Sequence, residues 1–248
     1  MSGKIRLRVS LVILPMDAFT GKPIAQKEFH VWAKGEATPL VKREGYRVFS
    51  GISKRYITVR LSGRFYQNTR VEIDLLALNP QSPVQKVYVL PDRTYPFPAD
   101  TAYMQGKMSG QSVLLAAAIS DTNLCRLRAD CGEGERTLAV YRGEQKDFSG
   151  KIYYLTDQTG ERAEWIRLAS YGQDVYGLEE PLRYTYRKAE ARMYKAVRCV
   201  ADERREAYFL PVRTAGKADL VRCLICKGQE TQEFDVCLRA GETLHRDI

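Results

Sequence analysis

The chain has 248 residues, 44% hydrophobic and 28% charged, the balance of a water-soluble globular protein, and no stretch approaches the ~18 uninterrupted apolar residues of a membrane-spanning helix. Its formal net charge of +9 is concentrated at one end: residues 1–100 hold 16 Lys and Arg against 8 Asp and Glu, the rest 23 against 22. Such a basic first part can meet nucleic acid, an anionic membrane surface or an acidic protein face.

In chain order, residues 1–21 (MSGKIRLRVSLVILPMDAFTG) put basic residues ahead of an apolar run, as a signal peptide does. Arg6 and Arg8 nevertheless alternate with Ile5, Leu7 and Val9, Pro15 and Asp17 close the run, and no small-x-small cleavage site follows. The alternation predicts a half-buried first strand of a cytoplasmically made protein over residues 5–13. Turn chemistry at 17–23 (DAFTGKP) and 42–45 (KREG) separates it from strands at Phe29, Val31 and Ala33 and at Tyr46, Val48 and Phe49. Further runs occupy 56–61 (YITVRL), 71–78 (VEIDLLAL) and 84–90 (VQKVYVL). Short alternating runs between turns predict an antiparallel sandwich.

Five of the ten prolines (Pro80, Pro83, Pro91, Pro96, Pro98) fall within residues 80–98, where missing N–H donors and a fixed φ stop a helix or a central strand. This marks a stiff connector at 93–101, between an N-terminal basic domain (1–92) and a second region (102–248) that could divide near residue 180. The second region repeats the style, with strands expected at 102–108, 112–119, 125–129, 137–142, 151–155, 163–168, 183–186, 196–200, 206–212, 219–226 and 233–238. The segment 187–198 (RKAEARMYKAVR) carries good helix formers, with Ala189, Met193 and Ala196 or Val197 at helical offsets, and sets a short helix against the strand reading there. The expected fold class is therefore all-β, tandem antiparallel β-sandwiches joined by a proline-rich connector.

Three segments share one layout, a polar turn followed by an alternating aromatic and aliphatic strand: KREGYRVFSGI from Lys42, TDQTGERAEWIRL from Thr156 and ADERREAYFLPV from Ala201. Their irregular spacing excludes a solenoid and suggests similar hairpins reused in related sandwiches. The pairing in LTDQTGERAEWIRL resembles the carboxypeptidase-regulatory or transthyretin-like (Ig-like) β-sandwich; DAFTGKPI with KREGYRVF resembles the opening of such a module, and LRAGETLHRDI its closing strand. The larger arrangement is similar to proteins of phage-tail-like contractile injection systems. That resemblance implies a structural adaptor, cap or decoration, without catalysis, that joins other protein subunits of a large assembly. It also implies assembly in the cytoplasm and release on an extracellular particle. The turn 202–205 lacks the glycine of the pattern, and 109–150 matches none of it.

Motifs for chemistry are sparse. Cys223 and Cys226 form a C-x-x-C, but an offset of three on a strand sends the side chains to opposite faces, which opposes a shared metal or a redox pair. Cys125 and Cys131 flank a polar loop without a second pair at metal-site spacing. With no export signal, the six cysteines read as reduced thiols. The two histidines, His30 and His245, sit at strand ends; no nucleophile elbow, metalloprotease helix or phosphate loop occurs. Asp17, Asp157 and Asp202 lie in turns, without the dense oxygen spacing of a calcium loop. No catalytic, cofactor or metal residue is expected.

Partner contacts are expected instead from Arg6, Arg8, Arg60 and Arg64 on the basic domain, facing an acidic protein surface. A second set comes from exposed tyrosines, Tyr171, Tyr176, Tyr184 and Tyr186, above all in the loop 169–181 (ASYGQDVYGLEEP), as protein contact or glycan platform. Nucleic-acid binding by the basic domain ranks below both, and an enzyme last.

Overall fold

A computed structural model describes residues 9–25, 29–110, 112–121, 124–141, 148, 150–172, 175–201, 206–215 and 218–248; of residues 170–172 it describes the backbone only. The described chain is built of strands, as the alternation predicts, with two single 3-10 turns and no helix long and apolar enough to cross a membrane. It separates into two compact units, Met1–Pro96 and Phe97–Ile248, the division falling inside the proline segment.

The first unit packs two sheets on one core. One sheet has the order β3 (Leu40–Val41), β4 (Arg47–Ser50), β1 (Val9–Asp17), β7 (Val84–Val89); the other runs β2 (His30–Ala33), β5 (Tyr56–Gly63), β6 (Tyr66–Asp74). Leu11, Ile13, Phe49, Val87 and Val89 of the first sheet meet Val31, Val59, Leu61 and Ile73 of the second. Period two does this directly, because every second side chain of β5 (Ile57, Val59, Leu61) points inward. β1 closes the unit by pairing antiparallel with β4 and parallel with β7.

A buried carboxylate ties the ends of this unit together. Asp17, 4% exposed, accepts from the backbone N–H of Phe19 (2.8 Å) and Thr20 (2.9 Å), and its other oxygen accepts from the hydroxyls of Tyr66 (3.0 Å) and Tyr95 (2.7 Å). Tyr95 thus packs its end of the proline segment into the first core, while in the second unit Phe97 sets its ring edge-on to Tyr103 and tilted against Phe209.

The second unit has a nine-stranded sheet. Its path is β11 (Thr137–Ala139), β14 (Val175–Leu178), β13 (Ala163–Gly172), β12 (Ile152–Thr156), β15 (Arg192–Val200), β9 (Ser112–Ala118), β17 (Asp219–Lys227) and β18 (Glu230–Leu238), with β10 (Leu124–Cys125) also on β15. A three-stranded sheet, β16 (Ala207–Arg213), β8 (Thr101–Lys107), β19 (Thr243–His245), covers one part of it. The two main cores do not follow one another along the chain. One draws on 102–118 and 199–238, and the other, on 127–193, is inserted between its halves while sharing the same sheet. β19 lies close against β8 because Gly106 has no Cβ to strike the carbonyl of Arg246.

The large sheet is strongly curled. β13 and β18 are five strands apart in order, ~24 Å on a flat sheet, yet Trp165 Nε1 donates to Glu233 Oε1 at 3.0 Å. Between them Ala117 and Ala196 pair at the centre of the face, so the Arg222 guanidinium reaches across to the Tyr154 hydroxyl at 3.0 Å. Ala117 and Ala196, small and on this face, leave room for the closure, while Ala116 and Ala118 face the opposite core.

Several sequence expectations are corrected. The segment 187–198 forms no helix: it runs through a turn into β15, which pairs with β9, β10 and β12, and the ladder outweighs helix propensity at Met193, Ala196 and Val197. Residues 183–186 are not a strand; the Glu164 carboxylate takes the Arg183 N–H, and only Tyr186 bridges, to Cys131. The loop at 169–181 contains β14, hairpinned on β13. Of the repeated turns, the first two connect β3 to β4 and β12 to β13; the third, at 202–205, lies outside the described residues.

Candidate docking groove of the first unit

β2 and β3 are edge strands of the two opposed sheets, and an open groove of about 480 Å³ lies between them. Strand parity sets its lining. In His30-Val31-Trp32-Ala33, Val31 and Ala33 enter the core, which turns Trp32 outward at 42% exposure. β3 contributes Val41, 61% exposed, and Thr38 and Pro39 complete the wall; Leu40, 58% exposed, stands next to Val41 on the same edge strand. The floor is Arg47, 2% exposed, whose guanidinium donates to the carbonyls of Gly45 (2.9 Å) and Phe29 (3.1 Å). Burial pulls its pKa below the usual arginine value. The preceding turn requires glycine: Gly45 has φ 88°, and a Cβ there would lie 2.5 Å from the Ile24 carbonyl oxygen.

On the outer face of the second sheet, register builds a row. Trp32 pairs with Arg60 and Arg60 with Arg70. Arg64 sits in the β5–β6 hairpin with its guanidinium 4.7 Å from the Phe65 ring centroid. The structure therefore gathers Arg60 with Trp32 and Arg70, which sequence reading did not single out. The signal was present in the parity of β2, where inward Val31 and Ala33 force Trp32 out. Arg6 and Arg8 lie outside the described residues.

The tyrosines belong to the second unit and do not form a common exposed platform. Tyr176 is fully buried, edge-on to Phe148, and Tyr186 is 1% exposed; both are core residues, contrary to the contact role expected of them. Tyr176 points inward because β14 alternates, with Tyr176 and Leu178 on the covered side. Tyr184 remains 38% exposed against Tyr186. Tyr171 pairs with Tyr176 through the backbone; its side chain lies outside the described set.

Elsewhere the polar groups serve the fold. Asp17 is occupied as described, and Asp157 accepts from Gly160 N–H (2.7 Å) and the Thr159 hydroxyl (3.0 Å) in its own turn. Among the described residues no group of three or more His, Cys, Asp or Glu side chains gathers as for a metal ion. All six cysteines are free, and Cys223 is buried while Cys226, on the other side of β17, is half-exposed. Burial pushes the Cys199 thiol up to about 11 and Cys223 up to about 12. The thiolate is the reactive form, so at about pH 8 an aromatic disulfide reagent should titrate exposed Cys237 first and reach Cys199 and Cys223 only on unfolding. Fast labelling of Cys223 in the native protein would contradict this packing. No protein-family model matches the chain, and no curated protein matches it.

Proposed function

We propose that the chain is a non-enzymatic adaptor that docks on other protein subunits of a large assembly through free edges of its sandwiches. On the resemblance carried by DAFTGKPI, KREGYRVF and LRAGETLHRDI, that assembly is a phage-tail-like contractile injection particle. The observation that supports docking is the groove itself. Among the described residues β2 and β3 each have a neighbour on one side only, they flank exposed Trp32, Leu40 and Val41, and edges of this kind accept a partner strand through main-chain hydrogen bonds.

The test is co-purification of the full chain with ring- or tube-forming proteins of its native source. Leu40→Glu with Val41→Glu should abolish it while shifting stability by only ~0.5 kcal/mol, since both side chains are exposed. Undiminished co-purification would sink the groove as the docking site. A second reading has its own support: Trp32 beside the hydroxyls of Thr38 and Ser62 is also an arrangement on which a sugar ring can stack. Glycan-array binding lost in Trp32→Ala, with co-purification intact, would favour it.

A further inference from the structure

Arg60 and Arg70 are direct cross-strand partners, and like charges so placed destabilise a sheet. Arg70 has Glu72 at 3.7 Å, a pair exposed at 64% and 74% and so of little weight. Of the described residues, no carboxylate comes within salt-bridge distance of Arg60. Trp32 continues the row toward the edge of β2, where its ring can lie beneath a guanidinium. A strand added along β2 would alternate like any other. One set of its side chains would extend the row beyond Trp32, with Arg60 the nearest guanidinium on that face, and the other set would enter the groove toward Val41 and Pro39.

Resting on the docking reading above, we propose that the groove takes an extended partner segment in which acidic and apolar residues alternate, a carboxylate of which is bound by Arg60. Bidentate guanidinium–carboxylate pairing then relieves the repulsion within the row. The outer edge of β2, which no described strand covers, selects a peptide over nucleic acid, because only a peptide returns main-chain hydrogen bonds.

The experiment measures binding of the full chain, by fluorescence anisotropy, to a short labelled peptide alternating glutamate and valine. A lysine–valine peptide and an oligothymidylate of matching charge are the comparisons. The glutamate peptide should bind, and Arg60→Glu with Arg70→Glu should weaken it by at least about tenfold. Arg60→Lys with Arg70→Lys should retain part of the binding. Arg60→Thr should weaken binding without lowering Tm, which separates a binding role from a structural one. Absence of peptide binding, binding indifferent to the double reversal, or tighter binding of oligothymidylate would each overturn the proposal. If the double reversal leaves co-purification intact while Leu40→Glu with Val41→Glu abolishes it, docking stands and the acidic partner is excluded.

Discussion

Asp17→Ala is expected to destabilise the first unit by about 3–5 kcal/mol, the cost of leaving several buried donors without their acceptor. The carboxylate is 4% exposed and receives two backbone N–H groups and two phenols from distant segments. Removing it strands the Tyr66 hydroxyl in the core and releases Tyr95 from the end of the unit. Denaturant unfolding combined with amide exchange in β1 and β6 reads this; a loss below about 1 kcal/mol would show that the network contributes little. Tyr66→Phe and Tyr95→Phe should each cost less, about 1 kcal/mol, since each removes a donor and leaves Asp17 its other partners.

The same network sets an alkaline limit. Burial first, then the Asp17 carboxylate, raises both phenols above the ordinary value of 10.0. In the unfolded chain the phenols ionise near that value, so the folded state holds the extra protons. Their stabilising contribution is complete below pH 10.0 and falls as pH rises above it. Tyr208, pushed by burial to about 12, adds to the loss in the same range. Stability that stays level from pH 10 to 12 would contradict these burials.

Tyr176→Ala should cost about 3–5 kcal/mol. Its ring is 0% exposed in the core of the inserted region, packed with Phe148, which itself touches Tyr153. Tyr184→Ala should stay within ~1 kcal/mol of the parent, because that ring is partly in solvent. Comparing unfolding midpoints of the two variants separates core from surface. A stable Tyr176→Ala protein that had lost a partner would restore the contact role that this burial removes.

Why one tyrosine was misread and many strands were not is a matter of range. β5, β9, β12 and β17 fall within a residue or two of the runs read from alternation, because facing a core requires only period two along one segment. The same logic separated Cys223 from Cys226. It fails where the segment is short or its propensity misleads. β14 has four residues between polar neighbours, and β15 carries helix-forming Lys, Ala, Arg and Met inside a central strand. There the decisive term is a ladder supplied by strands tens of residues away.

The candidate site divides in the same manner. Local sequence sufficed to say that Arg60 is on an exposed face and that the first part of the chain is basic. That Arg60 stands opposite Arg70 and beside Trp32, which lines a groove between two sheet edges, follows from strand register. So does the meeting of Trp165 with Glu233 across the curled sheet. Periodicity is a property of neighbours in the chain, whereas register and curvature are chosen by the packing of segments far apart, where burial of each core and closure over small side chains select one pairing among many.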